Sequence, residues 1–207
     1  MIMKTIGKIV LVALILASAV LTTAVAQNPV LIKDESSITI SGTSSLHDWH
    51  EKAEDFKVEM ELNTGKSTLP VISNVLFSCK VTSITSESSL MTSKTHDAFR
   101  ADKYPEILFW SDGQAVLASG SDTYSTTIKG RLYINGVKKQ VTVPVEARIS
   151  GDELMIRGSR SLNMVDYSIK PPTAILGTLK TGEEVTVTFD LKFRMPASNM
   201  ILSSIDK

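Results

Sequence analysis

Val185-Thr186-Val187-Thr188-Phe189-Asp190-Leu191-Lys192-Phe193-Arg194 carries an apolar side chain at every odd position and a polar one at every even position. Successive side chains on a strand point to opposite faces, so a period of two predicts a β-strand with one buried and one wet face. The same alternation recurs upstream. Phe56, Val58, Met60 and Leu62 alternate with Lys57, Glu59 and Glu61; Ile128, Leu132 and Ile134 with Lys129, Arg131 and Tyr133; Val141, Val143, Val145, Ala147 and Ile149 with Thr142, Pro144, Glu146 and Arg148. Asn135-Gly136 separates two of these runs and is a preferred pair for a two-residue hairpin turn, because both positions need positive φ. Pro144, at an outward position, predicts a free side or a bulge in its strand.

One stretch, Ser89 to Ala101, reads as helix, bounded by Tyr104-Pro105, since proline disfavours helix in the residue before it. A second short helix or a loop is expected over Pro171–Gly177. With so little helix to cover its apolar face, a sheet of this length needs a second sheet or closure on itself. The fold class is therefore all-β: an antiparallel up-and-down barrel of about eight strands with one or two short helices. At that size the interior is either filled by side chains or holds one small ligand.

The chain has 207 residues, 22 basic and 22 acidic groups, one cysteine and 43% apolar residues. Its opening segment differs from the rest. Lys4 and Lys8 precede a 13-residue apolar run, Ile9 to Leu21, then Thr22-Thr23 and the small-x-small triplet Ala24-Val25-Ala26. This pattern predicts a signal peptide over residues 1–26, cleaved after Ala26, with one domain over 27–207 and a periplasmic destination, an extracellular one being the alternative. An uncleaved anchor is the competing reading, because Ile9 to Ala26 approaches the roughly 20 residues that span a bilayer. The two threonines and the absence of following stop-transfer charges favour cleavage. Without Lys4 and Lys8 the chain keeps 20 basic against 22 acidic groups, so it lacks the cationic surface that nucleic acid requires. Cys79 is the sole thiol, excluding an intramolecular disulfide, and alternation with Val75, Phe77 and Val81 places it on an apolar face.

Four motifs in order resemble the YceI-like family of secreted bacterial proteins. They are Gly42-Thr43-Ser44-Ser45-Leu46-His47-Asp48-Trp49-His50; Met91 with Phe99-Arg100-Ala101-Asp102-Lys103-Tyr104-Pro105-Glu106-Ile107-Leu108-Phe109; Gly130-Arg131-Leu132-Tyr133-Ile134-Asn135-Gly136-Val137-Lys138-Lys139; and Asp166-Tyr167-Ser168-Ile169-Lys170-Pro171-Pro172. The resemblance spans roughly Ser37 to Arg194. It implies a lipocalin-like barrel whose long apolar cavity binds a polyisoprenoid chain, as a quinone tail or a prenyl diphosphate, with no other cofactor. A shared fold does not by itself carry a shared ligand.

Such a ligand needs a hydrocarbon-lined tunnel. The expected lining is Phe56, Val58, Met60, Phe77, Phe109, Leu132, Val143 and Phe189, each of which taken singly reads as plain core before it reads as a ligand contact. Ile107-Leu108-Phe109-Trp110 is apolar on both faces, so Trp110 is added to the lining and the helix bearing Met91 and Phe99 is expected to cover one face, as a lid over the ligand or as a plug. Lys94, Arg100 and Lys103 are the cations available for a phosphate headgroup, and Arg is the better bidentate partner. Solvated surface charge is the alternative for all three.

His47, Asp48 and His50 lie close together, but on a strand the two histidines face opposite sides, which opposes a shared metal. A structural turn is expected instead, with Asp48 bonding backbone and Trp49 closing an end of the barrel. No nucleophile elbow, metalloprotease helix motif or phosphate loop occurs, so the carrier of apolar isoprenoid that the resemblance implies is expected rather than an enzyme. A ligand-free structural or stress-response barrel, and less so a periplasmic hydrolase on lipid-linked substrates, are the alternatives. Transient contact with a membrane or a membrane protein would load a carrier; the oligomeric state is not encoded in any of these patterns.

Overall fold

A computed structural model describes residues 28–65, 69–120, 123–174 and 179–196. The signal segment lies outside them, as do residues 175–177 of the Pro171–Gly177 stretch; within the rest of that stretch Thr173–Ala174 is extended rather than helical.

The strands are β1 (Val30–Leu31), β2 (Ser37–Ser44), β3 (Trp49–Ala53), β4 (Phe56–Asn63), β5 (Val71–Lys80) and β6 (Ile84–Thr85). Helix α1 (Ser89–Phe99) follows. Then come β7 (Glu106–Ser111), β8 (Ala115–Val116), β9 (Ala118–Ser119), β10 (Tyr124–Ile134), β11 (Val137–Ser150), β12 (Glu153–Asn163), β13 (Thr173–Ala174) and β14 (Leu179–Arg194). A 3-10 turn at Met164–Tyr167 follows β12.

The main ladder runs β4-β5-β7-β10-β11-β12-β14-β2-β3-β6, every pair antiparallel. The strand count exceeds the expected eight because β1, β6, β8, β9 and β13 are two-residue pairings on its margins. β3 and β4, moreover, are one bent stave interrupted only by Glu54 and Asp55. At that corner Glu54 N–H donates to Ser83 O (2.9 Å) and Lys80 N–H donates to Asp55 O (3.2 Å). The ladder thus begins and ends on the same stave, and eight long staves meander around a closed interior, which removes the exposed edges of an open sheet.

Local chemistry fixes the corners. Asn135 (φ 50°) and Gly136 (φ 82°) form the β10–β11 hairpin turn in the left-handed region. The β11–β12 ladder stops at the Val145–Gly158 pair, next to Pro144, which has no N–H to extend it. Beyond that point the two staves part, and the 3-10 turn packs Met164 and Tyr167 with Ile134, Ile169 and Val185. Helix α1 starts where Ser88 Oγ accepts from Met91 N–H (3.3 Å) and ends two residues earlier than the proline implied. Arg100 adopts the left-handed conformation there (φ 52°) and turns the chain out of the helix.

At the end where β5, β12 and β1 begin, the barrel is filled. Leu62, Ile72, Leu117, Leu154 and Phe193 are fully buried there. The opposite end carries α1, the 44–49 turn and the 3-10 turn.

Candidate functional site

Above the packed layer the staves enclose a cavity of about 510 Å³. Ligand sites for small molecules typically measure roughly 300–1,000 Å³. Alternation accounts for the lining: inward residues of β4 (Val58, Met60), β5 (Val75, Phe77, Cys79), β7 (Ile107, Phe109), β10 (Ile128, Leu132), β11 (Val141, Val143) and β14 (Val187, Phe189) all face it. Met91, Ala98 and Phe99 close it from α1. Gly130 lets the Phe109 ring lie flat against β10, since a Cβ there would stand 2.5 Å from the ring.

Of the residues expected at the cavity, Val58, Met60, Phe77, Met91, Phe99, Phe109, Leu132, Val143, Phe189 and Lys94 line it. Phe56 does not: it is buried in the core, paired with Cys79 on the neighbouring stave. Trp110 does not either. It pairs with Leu76 and Arg131 on the outer face, where the Arg131 guanidinium and the Lys138 ammonium stand 5.5 and 5.2 Å from its ring. The outer face of Ile107–Trp110 is therefore screened by long cationic side chains and not by α1, as cation–π contact and aliphatic stems allow.

Two of the three expected headgroup cations are engaged away from the cavity. Arg100 Nε donates to Asn135 Oδ1 (2.9 Å) and Nη2 to Asn135 O (3.3 Å), while the guanidinium lies 4.8 Å from the Tyr104 ring. Asn135 is fully buried and its Nδ2 donates to Tyr167 O and Ser168 O, both at 3.0 Å. Arg100 thus ties α1 to the hairpin and, through Asn135, to the 3-10 turn. Lys103 is exposed, 5.3 Å from the Tyr104 ring.

The 44–49 turn is held by Ser44, whose Oγ donates to His47 O (2.7 Å) and accepts from the N–H groups of Leu46 and His47, both at 3.2 Å. Ser44 therefore takes the part expected of Asp48. Trp49 lines the cavity near this end, its Nε1–H donating to Thr43 O (3.0 Å). His47 lies in the turn, His50 faces outward on β3 and His96 sits on α1; among the described residues no metal-ligating cluster forms.

The mouth is marked by residues that line the cavity yet stay exposed. Leu46 and Leu90 are 67% and 63% exposed, with Lys94, Arg160 and Lys180 also on the surface. Arg160 on β12 and Lys180 on β14 form no ion pair among the described residues, and nothing in the sequence marks either as a site residue, because each stands in a largely polar stretch.

One polar group is set deep in the wall. On β3 the inward positions are Trp49, Glu51 and Ala53, and Glu51 is only 3% exposed. Its Oε1 accepts from the Thr95 hydroxyl on α1 (2.7 Å). Burial pushes the Glu51 carboxyl above its ordinary range, against smaller opposing effects of the Thr95 hydrogen bond and the His96 charge. Burial likewise pushes the Cys79 thiol up, leaving it an inert part of the wall.

A profile for the YceI-like domain matches residues 30–193. The chain belongs to the YceI-like family. No curated protein matches it, but solved structures do. The Burkholderia cenocepacia protein BcnA aligns with a TM-score of 0.64 at 18% identity, covering 78% of this YceI-like chain and 98% of its own. A polyisoprenoid binding domain from Saccharophagus degradans, implicated in plant cell wall breakdown, aligns with a TM-score of 0.61 at 14% identity, covering 83% and 100%. The Campylobacter jejuni YceI protein aligns with a TM-score of 0.54 at 13% identity, covering 69% and 82%. At such identities the likeness establishes a shared fold, the YceI-like barrel described above.

Proposed function

We propose that this protein binds one polyisoprenoid lipid, of quinone or prenyl-phosphate type, inside the barrel and sequesters or transports it outside the cytoplasm. The observation that carries this reading is the 510 Å³ cavity, walled by hydrocarbon from all eight staves and α1. An isoprenoid tail gains about 0.8 kcal/mol per buried CH₂ in such surroundings, so a few isoprene units suffice for tight binding without polar contacts. The same volume argues against a ligand-free barrel filled by its own side chains. At the fold level the reading is also supported by the Saccharophagus degradans domain, whose description is polyisoprenoid binding.

The mouth suits loading from a lipid surface. Leu46 and Leu90 present hydrocarbon beside Lys94, Arg160 and Lys180, the combination that anionic headgroups attract. Residues 1–26 serve as the export signal, cleaved after Ala26, and the periplasm is the destination.

The test is native purification followed by solvent extraction and mass spectrometry. A prenyl lipid recovered in stoichiometric amount is the expected result. Its repeated absence, together with failure of added prenyl lipids to bind, overturns the proposal.

A further inference from the structure

The alternation on β3 turns Glu51 inward onto a wall that is otherwise mostly hydrocarbon. A carboxyl in that position is costly unless a neighbouring group compensates it. Thr95 satisfies one oxygen: its hydroxyl donates to Oε1. Oε2 has no hydrogen-bond partner among the described residues, although the side chain is 97% removed from solvent by its 3% exposure and lines the cavity. Of the groups packed against it, His96 on α1 supplies charge, with an effect smaller than that of burial. The paired residue on β2 is Ile40, β6 contributes Ile84, and on α1 the His96 Nε2–H donates to Ile84 O (2.9 Å). Lys94 is on α1 but exposed at the mouth with Arg160 and Lys180, and His47 lies in the exposed turn.

We propose that Glu51, held by Thr95, is the headgroup contact of this cavity, and that it selects an isoprenoid ending in an uncharged oxygen (a ketone, quinone or alcohol) over one ending in a phosphate. This rests on the carrier reading and narrows it. Burial favours the protonated carboxyl, and in that form its O–H donates into the cavity to a carbonyl or hydroxyl oxygen on the ligand. A phosphate in the same place would set an anion against a carboxyl in a low-dielectric pocket, where each disfavours the other's charge. A phosphate held instead at the exposed cations would draw the tail past Glu51 and leave Oε2 unpaired among methylenes, which costs affinity.

Three ligands with the same twenty-carbon tail separate these cases: menaquinone with four isoprene units, geranylgeraniol and geranylgeranyl diphosphate. Binding to the purified protein is read by calorimetry and by quenching of Trp49, which lines the cavity. The quinone and the alcohol are expected to bind at least about tenfold tighter than the diphosphate, the equivalent of one hydrogen bond. Glu51→Leu is expected to lose about tenfold for the quinone and alcohol and nothing for the diphosphate. Glu51→Gln keeps an N–H donor and the Thr95 bond, and should retain quinone affinity within about threefold. Equal or tighter binding of the diphosphate, or quinone affinity unchanged in Glu51→Leu, overturns the inference while leaving the carrier reading intact. Failure of all three ligands to bind the unsubstituted protein overturns the carrier reading itself.

Discussion

The Phe189 ring lies across Gly158, the residue directly paired with it on the neighbouring stave. A Cβ at Gly158 would overlap the far edge of that ring and stand 2.7 Å from Pro144 O. Glycine at this position therefore lets a cavity-lining aromatic lie flat against the wall, and it does so where β11 and β12 begin to part. Gly158→Ala is expected to push Phe189 into the cavity and to destabilise the fold by about 1–3 kcal/mol through overpacking. Urea denaturation reads the stability, and a lower stoichiometry of bound prenyl lipid reads the lost volume. Unchanged values of both would show that the ring has room to retreat.

Phe109 faces the cavity from β7 with its ring over Gly130. Phe109→Asp places a carboxylate on an apolar wall, so lipid recovery by extraction should vanish, whereas Phe109→Leu should retain it. His47→Ala, in the exposed turn, should leave recovery unaltered. Loss of recovery on His47→Ala with Phe109→Asp still loaded would place the ligand outside the barrel.

Arg100 is expected to act in stability and not in ligand selection. Arg100→Ala removes two hydrogen bonds to Asn135 and leaves a fully buried amide partly unsatisfied, at a cost of about 1–3 kcal/mol. The midpoint in urea should fall accordingly, while affinity for geranylgeranyl diphosphate per folded molecule stays the same. A selective loss of diphosphate binding without loss of stability would return Arg100 to the headgroup site.

Burial raises the Glu51 carboxyl, so between its ordinary range and its folded value the native state holds a proton that the unfolded chain has released. The stability attached to this proton is fully present at pH below 4.5 and is lost as pH rises through the folded value. Glu51→Gln, which does not titrate, should be no more stable than the natural protein at low pH and more stable at neutral pH. Thermal denaturation across pH 4 to 8 measures the difference; a gap that does not widen with pH would mean that Glu51 is ionised or solvated in the native state.

Much of the wall was legible from alternation alone, because inward and outward positions on a strand are set by local backbone geometry. The Asn135-Gly136 turn and the onset of α1 at Ser89 were legible for the same reason. Glu51 was overlooked beside the more conspicuous histidines, although the alternation Trp49, Glu51, Ala53 already turned it inward. Trp110 shows the opposite difficulty. Its stretch is apolar on both faces, and only the spatial arrival of Arg131 and Lys138 reveals what screens the outer one. Phe56 sits on the expected face, but periodicity does not report whether a buried side chain meets the cavity or only its neighbours.

By itself, the sequence determined that this chain is all-β, that its strands pair antiparallel through tight turns, and that it resembles the YceI-like family. Those properties follow from period-two patterning, turn chemistry and ordered motifs, all local along the chain. Whether the inward side chains meet one another or enclose a space was decided only by the tertiary structure. Ring closure at Glu54-Asp55, the parting of β11 and β12 beyond Pro144 and the seating of α1 by Arg100 together set the depth at which packing stops and the cavity begins. Which cations face that cavity, and that a lone carboxyl does, depend on contacts between residues far apart in the chain, such as the 44 positions that separate Glu51 from Thr95.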